Sequence, residues 1–430
     1  MRKIHIEPLS GCRKTISVQG DKSISHRAVI IGALAKGKTR IRNFLEAEDT
    51  LNTVNIYRSL GVKVEKKKGI YSVFGRGLFS FREPQKPLYV GNSGTAIRLT
   101  LGALAAQPFT SSITGDAQIV KRPMKRVISP LTMMGAKFES NNGFAPVTVH
   151  GRDLKGIQYD MPVASAQVKS SIMIAALHAS KLTEIKEGAK SRDHTERMLS
   201  YFGAKIKASG KRIKITPGSS LRGRPVFVPG DVSSAAYFIT AGVMMKKSKI
   251  TVRDVGLNPT RTGIIQVLKK MGAVIKIKNR KERNNEPVGD IVASTSELKG
   301  AVIKGEMIPK LIDEIPVISV AAAFAKGKTI IKDARELRVK ETDRIAAITK
   351  NLKRMGIKVE EKPDGMVIHG NSGAPFKYAD IDSFGDHRIA MAFSVAALSG
   401  DNGLLIKDIE CVNTSFPGFF EILNRMKRKK

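Results

Sequence analysis

The chain has 430 residues, 42% of them hydrophobic, and a formal net charge of +36 from 74 Lys+Arg against 38 Asp+Glu. That length exceeds one ordinary core and fits two domains of roughly 200 residues. Cys12 and Cys411 alone exclude a disulfide framework and a zinc quartet, and no apolar run nears the ~18 residues of a membrane span.

In chain order, Met1-Arg2-Lys3 leads into a strand-like Ile4-His5-Ile6 rather than an apolar leader, so the expectation is a soluble, cytoplasmic protein. Val18-Gln19-Gly20-Asp21 then separates an initial strand pair from a helix that begins around Ser23. Five glycine phrases follow: Leu60-Gly61-Val62, Met134-Gly135-Ala136, Phe202-Gly203-Ala204, Met271-Gly272-Ala273 and Met355-Gly356-Ile357. Each ends an apolar-periodic segment and opens an alternating one, the pattern of a helix closed by a left-handed glycine and followed by a strand. A second phrase, Ala33-Leu34-Ala35-Lys36-Gly37-Lys38-Thr39, returns nearly unchanged at 322–329, with weaker copies from Ala103, Ala175, Ala241 and Ala396. Six α/β units of about 70 residues are implied, longer than the repeats of common solenoids. The sixth glycine phrase would fall near Met426, so the last repeat reads as truncated at its final strand pair.

Pro229-Gly230-Asp231 interrupts the pattern before a helix-like Ser233–Thr240. The expected division is one domain of residues 1–20 plus 230–430, holding repeats four to six with the N-terminal strand pair. Residues 21–229 form the other, with repeats one to three and a ligand cleft between the halves. The polar stretch Asn279–Gly289 decorates a hairpin of repeat four.

Polar clusters recur at expected helix starts. Asp21-Lys22-Ser23-Ile24-Ser25-His26-Arg27 offers a serine cap with two cations, and Gly91-Asn92-Ser93-Gly94-Thr95 is a glycine-rich turn into an apolar helix, Ile97–Ala106. The latter lacks the Gly-Lys-Ser/Thr of a P-loop. Lys121-Arg122-Pro123-Met124-Lys125-Arg126 groups four cations, Ser165-Ala166-Gln167 opens a helix over Val168–Ala179, and Ser191–Glu196 opens another. Arg338–Arg344 opens a further helix on which Lys340 and Arg344 share a face with Glu341 beside them. Asp313-Glu314 and Gly385-Asp386-His387-Arg388 occupy comparable points in neighbouring repeats. Each cluster alone reads equally well as a capped helix with solvated charge. Together they predict an anion site with two carboxylates, Asp313 and Glu341, among many cations, and helix dipoles that add to its positive field.

The net charge also raises nucleic acid as a partner. The basic residues are dispersed, apart from Lys427-Arg428-Lys429-Lys430, aromatics are 6% and tryptophan is absent, which leaves little to stack bases. Nucleic-acid contact beyond nonspecific attraction is not expected.

These residues, in this order, resemble the 5-enolpyruvylshikimate-3-phosphate (EPSP) synthase family: Gly20–Arg27, Gly91–Thr95, Lys121–Met124, Ser165–Gln167, Lys340–Arg344 and Asp386–Arg388. The likeness runs nearly end to end. It implies the enolpyruvyl transferase fold, an inside-out α/β barrel of two domains with three βαβαββ-type repeats each about a pseudo-threefold axis. The implied reaction moves the enolpyruvyl group of phosphoenolpyruvate to the 5-hydroxyl of shikimate 3-phosphate, a step of chorismate biosynthesis, in a monomer without metal or other cofactor. By the resemblance, shikimate 3-phosphate is held by Lys22, Ser23, Arg27, Ser165, Ala166, Gln167, Arg192, Asp313 and Lys340. Phosphoenolpyruvate is held by Lys22, Gly94, Arg122, Gln167, Arg344 and Arg388. Lys22, Asp313 and Glu341 are the catalytic set. Arg98-Leu99-Thr100 and Thr414 depart from many relatives and resemble the second class of these synthases. Two alternatives differ from this resemblance. A UDP-N-acetylglucosamine 1-carboxyvinyltransferase resembles Lys-Asn where Lys22-Ser23 stands, and usually has a cysteine in a loop that here, over Gly115–Lys125, has none. A basic RNA-binding protein would depend on charge alone.

Overall fold

The computed structural model describes residues Arg2–Lys427; Arg428, Lys429 and Lys430 of the basic tail lie outside them. The chain forms two compact units: Gly20–Val228 with Glu282–Glu286, and Met1–Gln19 with Pro229–Lys281 and Pro287–Lys430. They are called here the middle unit and the terminal unit, and each has its own apolar core.

The two units share one construction. A helix buried on all sides leads into a strand and then a second helix, followed in the first five repeats by a strand hairpin. In the middle unit the buried helices are Lys22–Leu34, Gly94–Leu104 and Ala166–Ala176; in the terminal unit they are Val232–Met244, Ile315–Phe324 and His387–Ser399. Val232–Met244 shows why: from Val232 to Val243 every side chain is buried, which leaves the helix no solvent face. The second helices, such as His194–Tyr201 and Arg344–Arg354, keep a polar face. Each of the five glycine phrases closes one of these second helices, and Gly61, Gly135, Gly203, Gly272 and Gly356 all have φ between 82° and 112°. Other residues are strained there.

Among the described residues six small sheets result, five of four strands and one of three. Sheet membership corrects the expected N-terminal strand pair. Lys3–Ile6 and Arg13–Ser17 do not pair with each other. Lys3–Ile6 runs antiparallel to Leu404–Lys407 and supplies the third strand of the sixth repeat's sheet. Arg13–Ser17 runs parallel to Lys249–Arg253 at the edge of the fourth repeat's sheet. The first repeat likewise takes its parallel edge strand from Val226–Phe227, paired with Ile41 and Arg42.

The polar insertion of repeat four is a long hairpin, Val274–Arg283 and Glu286–Ser294, turning through Asn284 and Asn285 at φ 45° and 63°. Its tip belongs to the middle unit. Asn284 exchanges hydrogen bonds with the backbone of Phe227, Asn285 bonds Arg197, and Glu286 meets His194 at 2.7 Å. Among the described residues no helix is long and apolar enough to cross a membrane.

Candidate active site

In the middle unit the polar residues lie at the first turns of the three buried helices. Asp21 caps the Lys22 helix by accepting from the Ile24 amide at 2.8 Å. This corrects the expected serine cap: Ser23 stands inside the first turn, because the aspartate two residues earlier already satisfies the free amides. Lys22 forms an ion pair with Asp49, a residue the sequence reading passed over. Arg27, one turn on and buried, donates from Nε to Thr195 Oγ1 (2.7 Å), from Nη1 to Ser23 O (2.9 Å) and from Nη2 to Ser170 Oγ (2.8 Å). Burial pulls its pKa down to about 10, against the attraction of Asp21 and Glu196, so it stays charged at neutral pH. His26 is held neutral: burial outweighs the pull of Asp49 and lowers its pKa to about 3, and Nδ1 contacts Thr53 Oγ1 at 2.7 Å.

Ser93 caps the Gly94–Leu104 helix and Ser165 caps Ala166–Ala176, each accepting from the amide three residues on. Gln167 ties these two starts together: it accepts from Arg98 Nη1 at 2.5 Å and donates to Thr95 Oγ1 at 3.0 Å. A Cβ at Gly94 would lie 2.9 Å from Nη1 of Arg98 and 3.5 Å from Nη1 of Arg122, so glycine leaves these two guanidinium groups beside an open backbone. Arg192, half-buried, stands in the turn before the His194 helix. Arg27 thus ties Ser23 to the Ala166 helix through Ser170, and Gln167 ties that helix to the one beginning at Gly94.

In the terminal unit the site residues are guanidinium groups set among carboxylates. Asp386 caps the His387 helix (2.8 Å to the Arg388 amide) and accepts from Arg344 Nε at 2.7 Å. Arg344, 1% exposed, also donates from Nη2 to Glu341 at 2.6 Å. Its Nη1 makes no hydrogen bond within the protein and stands 3.5 Å from Asp313 Oδ1. Arg388 reaches the same aspartate, donating to Asp313 O at 3.1 Å with Oδ2 at 3.8 Å. Burial opposes both charges, but Asp386 and Glu341 around Arg344, and Asp313 beside Arg388, outweigh it and push both pKa values up. Both stay protonated.

One expected element differs. The residues 338–344 do not open a helix: Arg335–Val339 is a short 3-10 turn, Lys340 is extended, and the helix starts at Arg344 behind an Asp343 cap that accepts from Ala346 at 3.0 Å. Lys340 and Arg344 therefore share no helix face, and Glu341 meets Arg344 from the preceding segment. Thr414 lies in the 3-10 turn Ile409–Thr414 and donates to Cys411 O at 2.8 Å.

A further cluster escaped the sequence reading. Asp231 caps the Val232 helix (2.7 Å to the Ser233 amide), Ser233 donates to buried Glu314, and buried Arg261 donates to Ser233 at 2.6 Å while facing Asp231 and Glu314. It braces Glu314, the neighbour of Asp313. The signal was available: Gly230-Asp231-Val232-Ser233 repeats Gly20-Asp21-Lys22-Ser23. Among the described residues no three His, Cys, Asp or Glu side chains are grouped to hold a metal ion.

The family model described as EPSP synthase (3-phosphoshikimate 1-carboxyvinyltransferase) matches residues 6–423. A protein of Thermoanaerobacter sp. (strain X514) named 3-phosphoshikimate 1-carboxyvinyltransferase is 54% identical over 412 residues, 96% of this chain and 97% of that protein. One of Bacillus velezensis with the same name is 47% identical over the full length of both. The solved EPSP synthase of Acinetobacter baumannii superposes with a TM-score of 0.91 at 43% identity, covering 99% of this chain and 98% of that one. The enolpyruvyl transferase NikO of Streptomyces tendae, 15% identical, shares the fold with a TM-score of 0.80 over 99% of this chain and 97% of that one.

Proposed function

The chain belongs to the EPSP synthase (3-phosphoshikimate 1-carboxyvinyltransferase) family, and from that premise we infer that it transfers the enolpyruvyl group of phosphoenolpyruvate to the 5-hydroxyl of shikimate 3-phosphate and releases phosphate. The observation that carries the reading beyond family membership is Arg344: a buried guanidinium whose Nη1 makes no hydrogen bond within the protein, only a 3.5 Å approach to Asp313, retains a donor for an anion.

In this reading phosphoenolpyruvate takes its charge partners from Arg344, Arg388, Arg122 and Lys22, with Gly94 admitting it close to the backbone and Gln167 adding a hydrogen bond. Shikimate 3-phosphate is held by Ser23, Arg27, Ser165, Ala166, Gln167, Arg192, Asp313 and Lys340, with Lys22 shared. The substrate hydroxyl gives up its proton as its oxygen attacks C2 of phosphoenolpyruvate, and the methylene gains a proton and becomes a methyl. The C2–phosphate oxygen bond then breaks, a methyl proton leaves, and the enol double bond returns. Asp313 and Glu341 move these protons, and Lys22 acts as acid or as charge clamp. Such acid–base help contributes roughly 10²–10⁴-fold; charge stabilisation and the orientation of two polyanions supply the rest. The enzyme acts in the cytoplasm as a monomer.

Phosphate release from phosphoenolpyruvate, measured with and without shikimate 3-phosphate, tests this. Release that depends on shikimate 3-phosphate and yields its enolpyruvyl ether is expected. Release supported instead by UDP-N-acetylglucosamine would overturn it.

A further inference from the structure

Behind the proposed shikimate 3-phosphate residues lies a buried ion triad that the reaction does not use. Lys169, fully buried on the Ala166 helix, donates to Glu187 Oε2 at 3.0 Å and to Glu196 Oε1 at 2.6 Å. The other oxygen of Glu187 accepts from the amide and the hydroxyl of Ser191 at 3.0 and 2.5 Å. A residue adjacent to the triad on each helix repeats the link with neutral groups: Ser170 meets Thr195 at 2.6 Å, and both accept from Arg27. Lys169-Ser170 is thus clamped to Thr195-Glu196, and the turn carrying Ser191 and Arg192 is fastened at both ends.

Bulk stability is a poor reason for such a triad. Buried ion pairs replaced by apolar groups of equal volume often leave a protein as stable or more so. What a buried ammonium between two carboxylates does supply is a fixed separation, since moving either carboxylate away leaves a buried charge uncompensated. Here the fixed geometry is that of the turn bearing Arg192 relative to the helix start bearing Ser165, Ala166 and Gln167.

We propose that Lys169, together with Glu187 and Glu196, is a positioning residue for shikimate 3-phosphate: it holds Arg192 and Arg27 in register with the start of the Ala166 helix. The proposal rests on the substrate reading above.

Two variants test it, Lys169→Met, which removes the shared donor, and Glu187→Gln, which keeps the volume and disturbs the Lys169 and Ser191 bonds together. Each is followed by thermal melting, by calorimetric titration with shikimate 3-phosphate, and by steady-state kinetics in both substrates. The expected result is a loss of shikimate 3-phosphate affinity of roughly tenfold to a hundredfold, the worth of one misdirected charge-assisted hydrogen bond. The KM for phosphoenolpyruvate, and kcat at saturating shikimate 3-phosphate, should stay at wild-type values. Unchanged shikimate 3-phosphate affinity in a folded variant overturns the proposal, and so does an equal loss for both substrates, which marks general loosening. If Lys169→Met does not fold, Glu187→Gln decides. Failure of the wild-type enzyme to bind shikimate 3-phosphate would remove the underlying reading and this proposal with it, and would be seen before any variant is compared.

Discussion

The helix starts of the two units are built alike and charged differently. In the middle unit Arg27 is met by two hydroxyls and a carbonyl. In the terminal unit Arg344 is met by three carboxylates and Arg388 by one of the same three. A cation held by neutral dipoles keeps its charge uncompensated and attracts an anion strongly. Carboxylates held among cations stay ionised and offset the charge around them. The contrast is one of compensation: the middle unit sets Arg27 among neutral dipoles, whereas the terminal unit sets Arg344 and Arg388 against carboxylates.

Four substitutions sharpen or break that contrast. The largest effect is expected for Glu341→Gln: turnover should fall by roughly 10²–10⁴-fold with shikimate 3-phosphate binding preserved. Wild-type turnover in single-turnover assays would take Glu341 out of the chemistry. Acid stability comes next. His26 has a folded pKa of about 3 against 6.5 for a free histidine, so the unfolded chain binds the extra proton between those values. Stability should therefore rise with pH through this window and be lost as pH falls below 6.5, by up to a few kcal/mol. His26→Asn should flatten the pH dependence of the urea midpoint there; an unaltered profile would place the acid sensitivity elsewhere. Lys22→Ala should weaken both substrates by about 1.5–3 kcal/mol each, the worth of hydrogen bonds to a charged group. Calorimetry showing loss of only one would confine Lys22 to that ligand. The smallest change is expected for Gly94→Ala, whose Cβ displaces the ends of Arg98 and Arg122. A rise in the KM for phosphoenolpyruvate of about fivefold, near 1 kcal/mol, with shikimate 3-phosphate unaffected, would fit flexible side chains yielding to a methyl.

What could be read from the sequence depended on whether a residue's role is local. The five left-handed glycines were legible because one residue type tolerates that backbone wherever it occurs. The polar clusters at the helix starts were legible because caps and free amides lie within a few residues of each other. Local reading erred where two local solutions competed: Asp21 displaced Ser23 as the cap, and Asp343 began its helix after Lys340 and Glu341 instead of before them. It was blind to partners far along the chain. Nothing near Lys22 in sequence points to Asp49, and nothing in Lys169 points to Glu187 or Glu196. The exchanged edge strands are the extreme case, because a two-residue parallel pairing such as Val226–Phe227 against Ile41–Arg42 leaves no mark on either segment.

That exchange also orders events in time. The middle unit can close once Val226–Phe227 has been made, apart from the hairpin tip that joins it later. The terminal unit must wait: Thr15 has its strand partner at Thr251, and Lys3 has its partner at Lys407. At ribosomal speeds of roughly 5–20 residues per second, the first of those waits lasts on the order of ten to fifty seconds. The strands made first are among the last to be paired, so a nascent chain should carry a finished middle unit while its opening segment is still exposed to chaperones and proteases.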